Sequence, residues 1–558
     1  MNGARIVVES ILKENVDTVF YYTGAAVVEI FDELYKHRKE IRCIQPRHEQ
    51  AGTHMADAYA RATGKMPVVV ATSGPGATNT VTGIATAYMD STPMVVITGQ
   101  VATSKVGTDA FQEVDTTGIT MPITKANFLV KDVDELAMTL KNAFHIARTG
   151  RPGPVLVDIP ANVQMESTRY HYPKQPHLRA YKPLEKGHPR QIDAALKLIK
   201  ESERPVVIVG GGVNLSDSFE AANRFLDKFN IPVVMTWMGR GINPKNEGLN
   251  LGGVGMHGSL YANYAVQNAD LIIALGVRFS DRVMGNAKLF APKAKKIHVD
   301  IDAAEIGKNL IADVPIVGNL RSVLKEFAEA KVDSDHSKWV AELMEYKKNH
   351  PLVYKETDNL QPQYIISLAS QIFPQNTIVA TDVGQHQMWT GQFFKIRHPR
   401  TWISSGGLGT MGFGLPAAIG AKLGKPEREV LLVSGDGGFQ MNIQELATVK
   451  LYDLNIKMIV MDNGVLGMVR QWQKAFFGKR YSGTSLRGNP DFAALARVYG
   501  IKARTLTKKE DAEDSIRELA ESKESMLLHA LIDKEEDVLP WVTTGKALDQ
   551  ALTQVDEI

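Results

Sequence analysis

Cysteine is almost missing from this chain. Cys43 is the only one in 558 residues, which excludes an intramolecular disulfide framework and a multi-cysteine zinc site. Long apolar runs are missing too. The longest, such as MPVVVAT and PMVVIT, are strand-sized, well short of the ~18 residues that a spanning helix needs, so no membrane association is expected. There is no excess charge of either sign: 64 Lys+Arg stand against 62 Asp+Glu, a formal +2. The basic residues are scattered rather than blocked, which argues against nucleic-acid binding driven by bulk charge. The first residues, MNGARIVVESILKENVDTVFYY, lack a basic n-region, an apolar h-region and a small-residue cleavage site. They predict a cytoplasmic protein.

What remains is ordinary globular material, 44% apolar and 23% charged, at a length that suggests three or four domains of ~150 residues. Short Val/Ile-rich runs alternate with helical patterns through three blocks, as in a parallel sheet covered on both faces. The expected class is α/β, with three doubly wound parallel-sheet domains at residues 1–168, 190–330 and 360–540 and a C-terminal tail over 541–558. Residues 166–190, rich in Pro, His, Tyr and Lys, read as a linker. A second joint, 333–362, holds one helix, SKWVAELMEYKKNH, stopped by Pro351.

In such sheets ligands bind beyond the carboxyl ends of the strands. The most informative stretch is EVLLVSGDGG, where a strand ends at Gly435-Asp436-Gly437. Glycines let backbone approach a phosphate, Asp436 offers a hard oxygen, and the next helix presents N–H groups to an anion. Asn463 follows 27 residues later, at the end of KMIVMDNG. One crossover helix separates the two positions, which puts Asp436 and Asn463 side by side. With a backbone carbonyl and phosphate oxygens they compose a Mg²⁺ site. This spacing resembles the thiamin diphosphate motif, and the resemblance calls for a glutamate from another domain. Glu49, after the IRCI run, fits. There a carboxyl hydrogen-bonded to the aminopyrimidine would exchange a proton with it.

Longer segments sharpen the likeness. RHEQAGTHMADAYARATGK, ATSGPGATNTVTGIATAYMDSTPMVVITGQV, GTDAFQEVDTTGITMPITK, WISSGGLGTMGFGLPAAIGA and NGVLGMVRQWQ resemble the large catalytic subunits of the acetohydroxyacid synthase (acetolactate synthase) family from about residue 3 to residue 550. That resemblance implies a thiamin diphosphate-binding fold with a central Rossmann-like FAD domain, and thiamin diphosphate, Mg²⁺ and FAD as cofactors. Glu49 would be the cofactor-activating acid. Gln385, His386, Gly437 and Gly438 would hold the diphosphate, and Asp436, Asn463 and the Val465 carbonyl the metal. Met411 would wedge the cofactor into a bent shape, with Gly407 on the same Gly-rich loop. Phe111 and Gln112 would line the active site, and Lys125 would lie near its entrance. Met468 and Trp472 would shape the pocket for the second keto acid.

For the flavin, the resemblance implies Arg151, Gly211, Gly212, His257 and Gly258, then Gly276, Arg278, Asp300, Asp302 and Ile306. Arg282 would meet the flavin and the incoming carboxylate. Decarboxylation and ligation involve no net redox, so FAD would be structural. The implied activity joins a two-carbon unit from pyruvate to pyruvate or 2-ketobutyrate, in a homodimer or homotetramer with a possible small regulatory subunit.

Four places depart from the family pattern. Tyr21-Tyr22-Thr23-Gly24-Ala25-Ala26 stands where Gly-Tyr-Pro-Gly-Gly-Ala is usual, Ala126 replaces a His, Asp462 an Asn, and Ser280 an Asp. Two other readings stay open: a pyruvate oxidase-like enzyme that uses FAD for redox, and a non-catalytic paralogue.

Overall fold

The computed structural model describes residues 1–555; the last three residues of the 541–558 tail lie outside the described residues. Three six-stranded, wholly parallel sheets succeed one another. Numbering strands within each domain, the first and third sheets share the order 2-1-3-4-6-5, whereas the middle sheet runs 6-5-4-1-2-3. The latter is the dinucleotide-binding order read from its far edge. The two outer domains are therefore built on one plan, and the centre on another.

The strands are Val/Ile-rich and buried throughout: Val68–Ala71, Met94–Gln100, Pro205–Val209 and Val430–Gly435 expose nothing. Helices cover both faces of each sheet, so unbroken apolar runs are stable here where alternation would leave polar side chains buried. Among the described residues, no helix is long and apolar enough to cross a membrane.

Each sheet has a switch point where the order reverses, and there the loops open outward. In the third sheet it lies between Ile378–Thr381 and Val430–Gly435. In the middle sheet it lies between Pro205–Val209 and Leu271–Leu275. The first and third domains also share a core, in which Met55, Ala58 and Ile84 pack with Leu415, Ala418 and Ile419. Helix Glu49–Thr63 lies against helix Gly414–Gly424 so closely that a Cβ on Gly420 would sit 2.0 Å from the Met55 carbonyl oxygen. The first of these helices begins on a His48 side-chain cap and ends on Gly64 at φ 74°, a conformation that suits glycine.

A buried ion triad locks this junction. Arg61 reaches Asp57 at 2.5 Å and Asp90 at 3.0 Å, and donates to the Ser404 carbonyl at 2.8 Å. Asp90 also accepts from the Gly406 N–H at 3.1 Å. The N-terminal domain thus holds the base of the Gly-rich loop.

The segment read as a linker has no helix or strand over 169–188, yet it is packed. Tyr170, Tyr172 and Tyr181 rest on the first domain's core, and the Tyr172 hydroxyl donates to Glu14 at 2.7 Å. The joint helix, Ser337–Asn349, ends before Pro351 and buries Trp339 and Leu343 in the middle domain, where Leu548 of the tail joins them.

Asp158, at the end of strand Pro154–Pro160, is buried and accepts from Thr98 and Gln100. Burial pushes its carboxyl up to about 7. A folded pKa above the unfolded value of about 4 means that its stabilising contribution is complete at acid pH and is lost as pH rises through about 7. The melting-temperature deficit of Asp158→Asn is therefore expected to shrink between pH 5 and pH 8. A deficit constant across that window would contradict this.

Candidate active site

Asp436 opens helix Asp436–Met441 directly after its strand, and Asn463 follows the adjacent strand Lys457–Asp462. The register pairs Gly435 with Met461, so both side chains project from the same edge. The Asp436 carboxylate accepts from the Gly437, Gly464 and Asn489 N–H groups at 3.0, 3.0 and 2.8 Å. Asn489 also donates to Asp462 at 3.1 Å, and thus sits between two carboxylates. Burial and the facing Asp462 push the Asp436 carboxyl well above the usual carboxylate range; a cation would offset both effects. Among the described residues, no group of three or more His, Cys, Asp or Glu side chains is set to hold a metal ion. A Mg²⁺ here would therefore rely on Asp436, on amide and backbone carbonyl oxygens such as those of Asn463 and Val465, and on phosphate. That donor set is hard and fits Mg²⁺.

Across the switch point, helix Gln385–Phe393 begins after Gly384. Gln385 accepts from Asn463 at 3.4 Å. His386 is held near pH 3 by burial, so its ring is neutral, and its Nε2 is buried without a partner among the described residues. A buried ring nitrogen with no partner leaves room for an occupant, such as a cofactor seated against it. The space is tight. A Cβ on Gly438 would lie 2.0 Å from Asp382, and one on Gly467 would lie 1.9 Å from Gln385 Oε1. The Met411 methyl is 3.4 Å from where a Gly437 Cβ would stand, which places Met411 over the diphosphate loop. Its neighbour Gly412 donates to buried Asp382 at 3.0 Å, as Gly414 does at 2.8 Å.

The middle domain's switch point opens into a cavity of about 790 Å³. Gly210, Gly211, Gly212 and Gly276 form its floor, with His257, Gly258, Arg278, Asp300 and Arg282 around it. Gly407, Met468 and Trp472 enter from the third domain, and Arg151 from the first. Arg151 donates to Glu305 at 2.7 Å and approaches Asp302 at 3.4 Å. Asp302 and Ile306 are half-buried but do not line the cavity. Burial lowers His257 to about 4 and leaves its Nδ1 unpartnered among the described residues. This large crevice, with glycines at the strand ends and convergent polar groups, suits a dinucleotide.

Other expected residues stand elsewhere. Glu49 is half-buried, and its carboxylate accepts from Asn79 at 3.0 Å. Phe111 is 88% exposed, and Gln112 has φ 60° against Gly74. None of Glu49, Phe111 and Gln112 lines the cavity that Met468 and Trp472 enter. Lys125 donates to the carbonyls of Ile146 and Thr149 at the end of helix Val133–Arg148 and to Tyr181. Burial lowers it to about 8.

The outer sequence segments match the patterns described as thiamine pyrophosphate enzyme, N-terminal and C-terminal TPP binding domains, over residues 1–119 and 382–530. The central domain of the same enzymes matches residues 192–327. A probable acetolactate synthase large subunit of Methanocaldococcus jannaschii is 47% identical over 98% of this chain and 94% of its own length. The large subunits of Buchnera aphidicola and Corynebacterium glutamicum are 44% and 46% identical, covering 100% and 98% of this chain and 99% and 89% of their own. The chain belongs to the acetolactate synthase large-subunit family. As a family member it is a thiamin diphosphate-dependent transferase, with the two outer domains supplying the cofactor-binding loops.

Asp382, Asn489, Glu305 and Ser91, whose hydroxyl accepts from the Arg151 Nε–H at 2.8 Å, were not identified from sequence. Asp382 follows a Val-rich strand in TDVG, a position that carries a signal. The other three come from loops whose proximity no local spacing encodes.

Proposed function

We propose that this acetolactate synthase binds thiamin diphosphate with Mg²⁺ at Asp436, Asn463 and Val465, and FAD in the central cavity. It would decarboxylate pyruvate and join the two-carbon unit to a second pyruvate or 2-ketobutyrate, in branched-chain amino-acid synthesis. The observation that carries this is the pair Asp436 and Asn463 on neighbouring strand ends, facing the unpartnered Nε2 of His386 across the switch point.

When bound, thiamin diphosphate supplies the nucleophilic carbon and the electron sink for decarboxylation. The protein does the rest. Glu49 holds and moves the proton at the aminopyrimidine. Gln385 and His386 would fix the diphosphate, and Met411, beside Gly437, would hold the cofactor in place. Arg282, whose guanidinium is largely exposed to the cavity mouth, draws in the 2-keto acid carboxylate. Gln112 would serve the reaction from the N-terminal domain, while Lys125 is engaged at the end of helix Val133–Arg148.

Glu49 and Phe111 lie outside the cavity of their own chain, and Phe111 is bare. This supports a homodimer in which each site takes its N-terminal residues from the partner subunit, with pairing to a tetramer and a small regulatory subunit as further assembly. The absence of a membrane-spanning helix among the described residues agrees with a cytoplasmic setting.

Purified protein with pyruvate, Mg²⁺, thiamin diphosphate and FAD should form acetolactate, and omission of either Mg²⁺ or thiamin diphosphate should abolish it. Folded, cofactor-loaded protein without turnover would favour a non-catalytic paralogue. Trp472 leans on Trp541 with ring centres 5.5 Å apart, a rigid wall for the second substrate. Trp472→Leu is expected to shift the 2-ketobutyrate to pyruvate product ratio by about 10-fold or more, the worth of about one methylene contact. A competition assay giving an unchanged ratio would remove Trp472 from substrate choice.

A further inference from the structure

Glu445 stands in the third domain, nine residues past Asp436 and outside the diphosphate loops. It ends the short turn Ile443–Glu445 and is completely buried. Carboxylates are rarely buried without a partner that repays desolvation. Here both oxygens accept from one N–H of the first domain, that of Arg47, at 2.9 and 3.2 Å. The Thr448 hydroxyl donates to Oε2 at 2.6 Å. One helical turn on, the Tyr452 hydroxyl oxygen accepts from the Gln45 N–H at 2.7 Å. The third domain thus grips two backbone amides in Gln45–His48, the four residues that lead into Glu49. Pro46 between them is buried, 2.9 Å from where a Cβ on Gly52 would be, so the segment has no slack against the first helical turn.

We propose that Glu445 is a positioning residue for Glu49: by clamping the Arg47 backbone to the third domain it sets where the Glu49 carboxylate is presented. The proposal rests on the reading of Glu49 as the cofactor-activating acid. The clamp ties Glu49 to its own chain's diphosphate-binding domain. The reach of Glu49 is thereby fixed before a second subunit closes over it.

The test is Glu445→Gln, which keeps size but leaves one neutral amide oxygen where two carboxylate oxygens accept from the Arg47 N–H. Hydrogen exchange over residues 45–49 is read together with kcat, pyruvate KM and thiamin diphosphate affinity. The expected result is at least tenfold faster exchange confined to that segment and a kcat lower by roughly tenfold or more. KM and affinity stay within about twofold, because misplacement of a reacting group costs rate rather than binding. In a Glu49→Gln background the same change should cost less than about twofold, since the two residues act as one unit. Unchanged exchange or unchanged kcat overturns the proposal. So does a loss that adds fully to that of Glu49→Gln with faster exchange throughout the chain, the signature of a purely structural role. Should Glu445→Gln not fold, Tyr452→Phe loosens the same segment and is expected to act in the same direction; no change in its exchange and kcat overturns the proposal equally. A parent that forms acetolactate beside an inert Glu49→Gln leaves the functional reading standing whatever Glu445→Gln does. A parent that forms none overturns both.

Discussion

Glu49→Gln is expected to lower acetolactate formation by about 10² to 10⁴-fold, the range attributable to one positioned proton donor and acceptor. Glutamine keeps the shape and the acceptor for Asn79, whose amide lies 3.0 Å from the carboxylate, but cannot exchange a proton with the aminopyrimidine. The helix behind it is anchored independently, by the His48 cap and by packing on Gly414–Gly424. The melting temperature and the affinity for thiamin diphosphate should therefore stay close to those of the parent. Steady-state rates beside a cofactor titration check this. A fall of less than about threefold would show that another group moves the proton.

The second large effect is at the metal. Asp436→Ala removes the one carboxylate that the strand-end geometry aims between the Gly437 and Gly464 amides. The affinity for thiamin diphosphate in the presence of Mg²⁺ is expected to fall by at least about 100-fold, more than the 10- to 100-fold typical of residues that only support a ligand. Excess Mg²⁺ should restore part of the activity, and chelation of the parent should reproduce the defect. Asp462→Asn is the internal comparison. Asp462 shares Asn489 with Asp436 and bonds His529 at 3.0 Å, but it belongs to the surroundings of the site. Its neutralisation should change affinity by less than about threefold. Equal losses in both variants, measured by titration at several Mg²⁺ concentrations, would reverse the assignment of ligand and neighbour.

These two sites differ in how legible they were. Asp436 and Asn463 could be paired from sequence because a strand, one crossover helix and a parallel neighbour leave a single geometry for their two ends. Gly211, Gly212 and Gly276 came instead from the family resemblance, since the Gly210–Gly212 turn is weak alone; they stand at the middle sheet's reversal, where Gly210 comes so near Gly276 that a Cβ would sit 2.0 Å from its carbonyl oxygen. Strand composition sufficed for the three sheets, since parallel strands buried on both faces have no alternation to disguise them. Asn489 could not be found this way. It arrives through an irregular segment joined to the metal loop by the Leu466 N–H to the Thr484 carbonyl and the Leu486 N–H to the Gly464 carbonyl, a pairing no periodicity announces. Lys125 shows the converse. Its chemistry fits a site entrance, but in this chain two carbonyls at a helix end and the Tyr181 hydroxyl already engage its ammonium. Phe111, in a loop tied down by Glu113 through the Ala110 N–H at 2.9 Å, stands 88% exposed. In the homodimer proposed above it would meet the partner subunit, a contact that periodicity within a single sequence does not encode.

The departures at Thr23–Ala26 bear on activity level more than on fold. Ala25 points to solvent, while Gly24 abuts Thr72, whose hydroxyl lies 3.3 Å from the Ala26 amide. The loop closes on the first domain's own switch point with the usual glycine kept where contact is tightest.

Carbon ligation without oxidation is the central claim, and product stoichiometry tests it most directly. Protein loaded with thiamin diphosphate, Mg²⁺ and FAD would be given pyruvate in air and under nitrogen, with CO₂, acetolactate, acetyl phosphate and peroxide all measured. One acetolactate per CO₂ at the same rate in both atmospheres is the predicted result. Acetyl phosphate and peroxide that appear only in air would contradict it and assign the flavin cavity a redox role.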